Sequence, residues 1–218
     1  MKAQTGPFHY MWFETQDTLA DWVAQSQGHQ ERMTRLMTEA FRRDSRMNSL
    51  AIHLFIDAFP AGWMKSIMDV ERNAKPAYFA YREALTPLMV NLRSDRRTYW
   101  AGEPVEVEAW VCNDRPHSPT ATELRYRLEA DGRVLACGRA PVEVAASASI
   151  CAGRIRTTAP DASDRRTATV RLALVDSSGQ VLHDTALELE IFPRPGKIPL
   201  PRAWVVGAAG GAAATLAA

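Results

Sequence analysis

A chain of 218 residues, 46% hydrophobic and 23% charged, has the composition of a folded globular protein with room for one large or two small domains. Its 26 basic and 25 acidic residues leave a net charge of +1, which supplies no global field for drawing in nucleic acid or an anionic membrane surface, so neither is expected as a partner. Cys112, Cys137 and Cys151 are odd in number and lack C-x-x-C spacing, which argues against a zinc site or a disulfide framework and predicts buried free thiols; no metal or other cofactor is expected.

Residues 1–16 carry Phe8, Tyr10, Trp12 and Phe13 without a clear period, and contain no apolar core of signal-peptide length. Asp17 or Thr18 can cap a helix that runs to about Arg43. Leu19, Trp22, Val23, Met33, Leu36, Met37, Ala40 and Phe41 recur at three and four, predicting a buried face. Gln25, Gln30, Glu31, Arg35 and Arg42 fall on the opposite, wet face, and Gly28 marks a break midway. Core packing accounts for the Trp and Met content, and His29 is a surface residue with no assigned role.

The stretch 49–87 organises the rest. Residues 50–56 form a short apolar run bounded by Pro60-Ala61-Gly62, which predicts a buried strand. A loop with Trp63 follows, and its charges, Lys65, Asp69 and Arg72, are expected to pair with one another. Pro76 then opens a helix through Leu85. Beyond Pro87 the pattern becomes that of half-buried strands, with a two-residue period over 88–93, 105–112, 123–129, 133–137, 150–157, 167–176 and 181–192. Asn113-Asp114, Asp131-Gly132 and Ser177-Ser178-Gly179 supply turns between them. About seven short strands in roughly 100 residues predict a two-sheet antiparallel sandwich. Val105, Val107, Ala109 and Val111 alternate with Glu106, Glu108, Trp110 and Cys112, which sets Trp110 on a charged face.

From Pro193 four prolines in ten residues predict an extended linker. The uncharged tail that follows is too short and Gly-rich for a membrane span, and its G-A-A-G-G run lacks the remainder of a nucleotide-binding βαβ unit.

Trp63, Lys65-Ser66-Ile67, Asp69, Arg72, Lys75-Pro76-Ala77-Tyr78 and Ala84-Leu85-Thr86-Pro87, followed by Gly102-Glu103-Pro104-Val105 and Trp110-Val111-Cys112-Asn113-Asp114, agree in order and spacing with one enzyme group. The chain resembles glycoside hydrolase family 2, the β-galactosidase, β-glucuronidase and β-mannosidase group, over about residues 20–115. The resemblance implies an α/β plus all-β fold: the last strand and helices of a (β/α)8 TIM barrel over 1–87, an immunoglobulin-like β-sandwich over 88–192, and a linker and tail over 193–218. A complete barrel needs roughly 250 residues, so the resemblance implies a fragment whose partners are the missing barrel segment and, in the parent enzyme, a carbohydrate.

Retaining glycoside hydrolysis requires two carboxyl groups about 5 Å apart. In the family both are glutamates on central barrel strands, which this chain does not hold, so the acid/base is expected to be missing. Glu14 follows an apolar stretch and precedes a helix, as a nucleophile at a strand end would. Its F-E-T-Q setting nevertheless lacks the serine and glycine of the family's S-E-[FY]-G context, and a solvated glutamate near a helix start is the plain alternative. His53, Phe55, Asp57 and Trp63 would line the sugar subsite at the barrel mouth, since aromatic faces stack on C–H-rich sugar faces while hydroxyls find polar partners. His53 and Asp57 serve equally well as groups that only orient the loop. By the same resemblance, the Trp110 face of the sandwich abuts the barrel, near Tyr99 or the Pro76 helix; the alternative is an inward Trp110 with the valines facing the barrel. Two functions follow: an inactive C-terminal fragment of a family 2 glycosidase, or a non-catalytic sandwich module for interaction or carbohydrate contact.

Overall fold

The computed structural model describes residues 16–58, 65–120 and 122–196. These residues are mostly β-sheet, with two helices ahead of eight strands among them. Helix α1, Leu19–Arg43, starts where Thr18 caps it, the hydroxyl oxygen accepting from the Asp21 amide at 3.1 Å. It runs unbroken through Gly28. A glycine costs a helix only about 1 kcal/mol against alanine, too little to interrupt 25 residues. Helix α2, Pro76–Ala84, begins with proline in its first turn and buries Ala77, Ala80 and Ala84. The two helices pack on each other, and the small residues of α2 permit close approach.

The strands are β1 Leu88–Arg93, β2 Thr98–Trp100, β3 Pro104–Asn113, β4 Thr122–Ala130, β5 Arg133–Val142, β6 Ala148–Thr158, β7 Arg166–Val175 and β8 Val181–Phe192. They make a three-stranded sheet ordered β1-β3-β6 and a five-stranded sheet ordered β2-β8-β7-β4-β5. All pairings are antiparallel except the short β2 against β8. One core fills the space between the sheets: Val90, Val107 and Val111 from the first, Leu128, Val170, Leu172, Leu189 and Ile191 from the second. Burying side chains of this size stabilises by roughly 1.5–3 kcal/mol each. Seven of the eight strands fall on segments whose alternation predicts them. Strand β2 has no such signal, because three residues cover little more than one period and its partner lies some 90 positions away.

Several expectations need correction. Residues 50–56 form no ladder strand. Their backbone meets only the loop at 66–68, with the Met68 amide donating to Phe55 O at 3.0 Å and the Ile67 amide to Leu54 O at 3.3 Å, and a single parallel bridge joins Ile56 to Met68. Phe55 and Ile56 lie exposed. A buried strand needs neighbours along both edges, and among the described residues this segment has only the 66–68 loop along one.

The face of α1 is also reversed. Leu19 is 77% and Met37 53% exposed, and Val23, Met33, Leu36 and Phe41 are exposed with them, whereas Thr38, Glu39 and Arg42 are buried. The helix presents its apolar stripe to solvent because its polar C-terminal side is the one that meets the sandwich. Finally, of the three free cysteines only Cys112 is buried; Cys137 lies on the edge strand β5 and Cys151 on the outer side of β6, both exposed.

Candidate functional site

Side-chain contacts hold the end of the 50–56 segment against the residues that follow it. Asp57 turns inward and Lys75 Nζ reaches its Oδ2 at 3.1 Å, while the same ammonium donates to Ser66 O and Ser66 Oγ at 3.0 Å each. Lys75 stands immediately before α2 and Ser66 is fully buried, so one cation ties three segments together. Gln30 closes the arrangement from α1, donating to Lys65 O at 2.9 Å and to Ser66 O at 3.0 Å. Backbone carbonyls in a loop otherwise lack ladder partners, and these side chains supply them.

Phe55 projects from this loop, half exposed, edge-on to Tyr78 with ring centroids 6.2 Å apart. Tyr78 in turn meets Phe79 edge-on at 5.4 Å, and the Arg82 guanidinium stands 5.3 Å from the Phe79 ring centroid. These three rings and one cation form an open aromatic ledge. His53 is exposed, on the same segment. Trp63 and Glu14 lie outside the described residues.

The charges of the 65–72 loop do not pair among themselves as expected. Asp69 accepts from the Asn73 amide at 2.8 Å and from Asn73 Nδ2 at 3.0 Å, and those two bonds hold its carboxyl below the usual range. Arg72 adopts a φ of 69° where the turn closes onto Asp69, its amide donating to Asp69 O.

The most connected polar group is one the sequence placed on a wet face. Arg42 is buried where the end of α1 meets β1. It donates to the carbonyls of Ala84 at 2.9 Å, Thr86 at 2.6 Å and Pro87 at 3.2 Å, and to Met89 Sδ at 2.8 Å. It also pairs with Asp114 at 2.8 Å. Its own carbonyl accepts from Ser149 Oγ at 2.7 Å and Cys112 Sγ at 3.7 Å. A guanidinium at the C-terminal end of α2 meets the negative end of that helix and satisfies its last carbonyls. Next to it, Arg43 donates to Asn91 Oδ1 at 2.7 Å. This explains why β1 is buried on both faces: Leu88, Val90 and Leu92 enter the sandwich core, while Met89 and Asn91 are covered by α1.

Trp110 lies on the outer face of β3, half buried, with the valines of that strand in the core, as the alternation predicts. Its indole donates to Glu108 Oε2 at 2.9 Å. Cys112, one pleat along on the same face, touches α1. Tyr99 is elsewhere, in the core, its hydroxyl 2.9 Å from Ser94 Oγ.

The arrangement of helices and sandwich is similar to parts of solved glycosidases. The exo-chitosanase CsxA of Amycolatopsis orientalis matches with a TM-score of 0.64 at 18% identity. The β-D-mannosidase of Dictyoglomus thermophilum matches with a TM-score of 0.63 at 16% identity. Each match takes in 80% of this chain and 20% of the other, so the matched part spans about a fifth of the length of these enzymes. At such identities the likeness is one of fold. No family model matches the sequence. No curated protein matches it either.

Proposed function

We propose that this chain is the C-terminal segment of a family 2 glycoside hydrolase, comprising the end of its catalytic barrel and the immunoglobulin-like sandwich that follows. One observation carries the reading. The part before Pro87 exposes Leu19, Val23, Met33, Leu36, Met37 and Phe41 of α1 and an apolar segment at 50–56 with no ladder strand beside it among the described residues, whereas the part after Pro87 closes its own core. Such a distribution is that of a layer cut from its partner, since a monomer rarely leaves a contiguous apolar face open. The remaining barrel strands would cover both features. The fold likeness to enzymes of about five times the matched length supports the same reading.

In that parent, two glutamates on the missing strands carry out retaining hydrolysis, and the ledge of Phe55, Tyr78 and Phe79 with His53, Asp57 and Trp63 belongs to the sugar-facing end of the barrel. The Asp57–Lys75–Ser66 contacts favour a positioning role for Asp57, because a carboxylate held by a lysine orients a loop more readily than it moves a proton. Glu14 stays a solvated glutamate on this reading. The self-contained sandwich core favours a second reading, a stand-alone interaction module.

Purified chain should release no 4-nitrophenol from aryl β-galactoside, β-glucuronide or β-mannoside substrates. Turnover that disappears in Glu14→Gln would overturn the reading of a fragment lacking its acid/base.

A further inference from the structure

The contact between α1 and the sandwich contains a carboxyl group that it does not neutralise. Glu39 is 6% exposed, yet the nearest cations stand at 3.8 Å, Arg35 on one side and Arg43 on the other. Both arginines are engaged more closely elsewhere. Arg35 grips Glu83 of α2 with two bonds of 3.2 and 2.7 Å, and Arg43 donates to Asn91 of β1 at 2.7 Å. Both ion pairs to Glu39 lie beyond hydrogen-bonding distance, and a buried carboxylate without such bonds carries a desolvation cost that two long ion pairs offset only in part.

We infer that the packing of α1 on the sandwich is controlled by the protonation of Glu39, the helix being held more tightly when this carboxyl is neutral than when it is ionised. The inference rests on the junction itself and holds whatever reaction the parent catalyses. Burial pushes the Glu39 carboxyl up to about 7, against the attraction of Arg35, Arg43 and the more distant Arg97 from the loop between β1 and β2; Glu83 pushes in the same direction as burial. A group raised in the packed state stabilises it fully below its free value of 4.5, and that contribution is lost as the pH climbs through 7.

The other groups facing this cluster titrate outside that window or oppose it. Glu83 is held below the usual range by its bonds to Arg35, so it stays ionised throughout. Arg97 faces Glu188 and Arg32 as well as Glu39, and Arg43 faces Arg93, Glu108 and Cys112, whose thiol burial pushes up. His183 of β8 accepts the Val90 amide at Nδ1 (3.3 Å), and burial lowers its value. Its protonation would break that bond, so its contribution is present above 6.5 and lost on acidification, opposite in sign to that of Glu39.

The experiment is amide hydrogen exchange of residues 35–43 in the full chain, corrected for the intrinsic rate, at pH 5 and pH 8. Glu39 alone, with free and packed values of 4.5 and about 7, makes the opening equilibrium constant of the wild type about 70-fold larger at pH 8, and the opposing His183 brings the observed ratio below that. Glu39→Gln should remove most of that dependence and protect the helix better than wild type at pH 8. Identical pH responses in the two proteins, or opening that falls as pH rises, would overturn the inference. Should Glu39→Gln fail to fold, the carbon-13 carboxyl titration of Glu39 in the wild type decides: a midpoint near 7 supports the inference, and one in the ordinary carboxylate range overturns it.

Discussion

Arg42→Met removes the group that joins both helices to the sandwich while keeping a side chain of similar reach. Five neighbours lose a donor: the carbonyls of Ala84, Thr86 and Pro87, the Met89 sulfur, and Asp114. Asp114 is 60% exposed and returns to water, so that pair adds no more than about 1 kcal/mol. The Thr86 and Pro87 carbonyls are half buried and are rehydrated in part. The bond to Ala84 O is buried, and an acceptor left there unsatisfied costs about 1–3 kcal/mol. Against this, the Arg42 Nε is buried without a partner among the described residues, and deleting it recovers about 1 kcal/mol. The net expectation is a loss of about 2 kcal/mol, roughly 30-fold in the folding equilibrium. Urea denaturation of the full chain, followed by far-ultraviolet circular dichroism and tryptophan fluorescence, measures it. Arg42→Lys should fall between the two, because one ammonium cannot reach carbonyls on several sides. A loss below about 0.5 kcal/mol in Arg42→Met would refute the assignment of Arg42 as the joint between helices and sandwich.

Two further substitutions probe the sandwich. A Cβ at Gly138 would stand 2.5 Å from the ring of Tyr126, its cross-strand partner, so Gly138→Ala should cost about 1–3 kcal/mol through overpacking; an unchanged urea midpoint would show that the ring swings clear. Trp110→Ala should cost clearly less than the 3–5 kcal/mol typical of a core aromatic, since the ring lies on the outer face and bonds only Glu108; a loss in the core range would place it among the core side chains.

The sandwich was legible because its signal is local. Val105, Val107, Ala109 and Val111 alternate with polar residues whether or not any partner is known, and the structure buries those four. Helix α1 was legible in its limits for the same reason, from Thr18 and the three-and-four spacing. Its facing was not. Periodicity states that an apolar stripe wants a cover, not that the cover lies in the same chain. Arg42 and Glu39 were hidden by the same rule, since a charged residue on a helix is taken as solvated until a strand such as β1 is found beneath it. The Asp57–Lys75 pair spans 18 positions across a loop, a spacing with no local signature. Trp63 and Lys75 could be singled out only through the family resemblance.

The proposed function requires that this sequence belong to a longer glycosidase. Antibody raised against the sandwich, used to isolate the endogenous product from source cells, tests it directly by intact mass and by turnover of aryl β-glycosides in the same precipitate. The account predicts a polypeptide on the order of four times the 24.2 kDa of this chain, carrying glycosidase activity. A single 24.2 kDa species without turnover would contradict it.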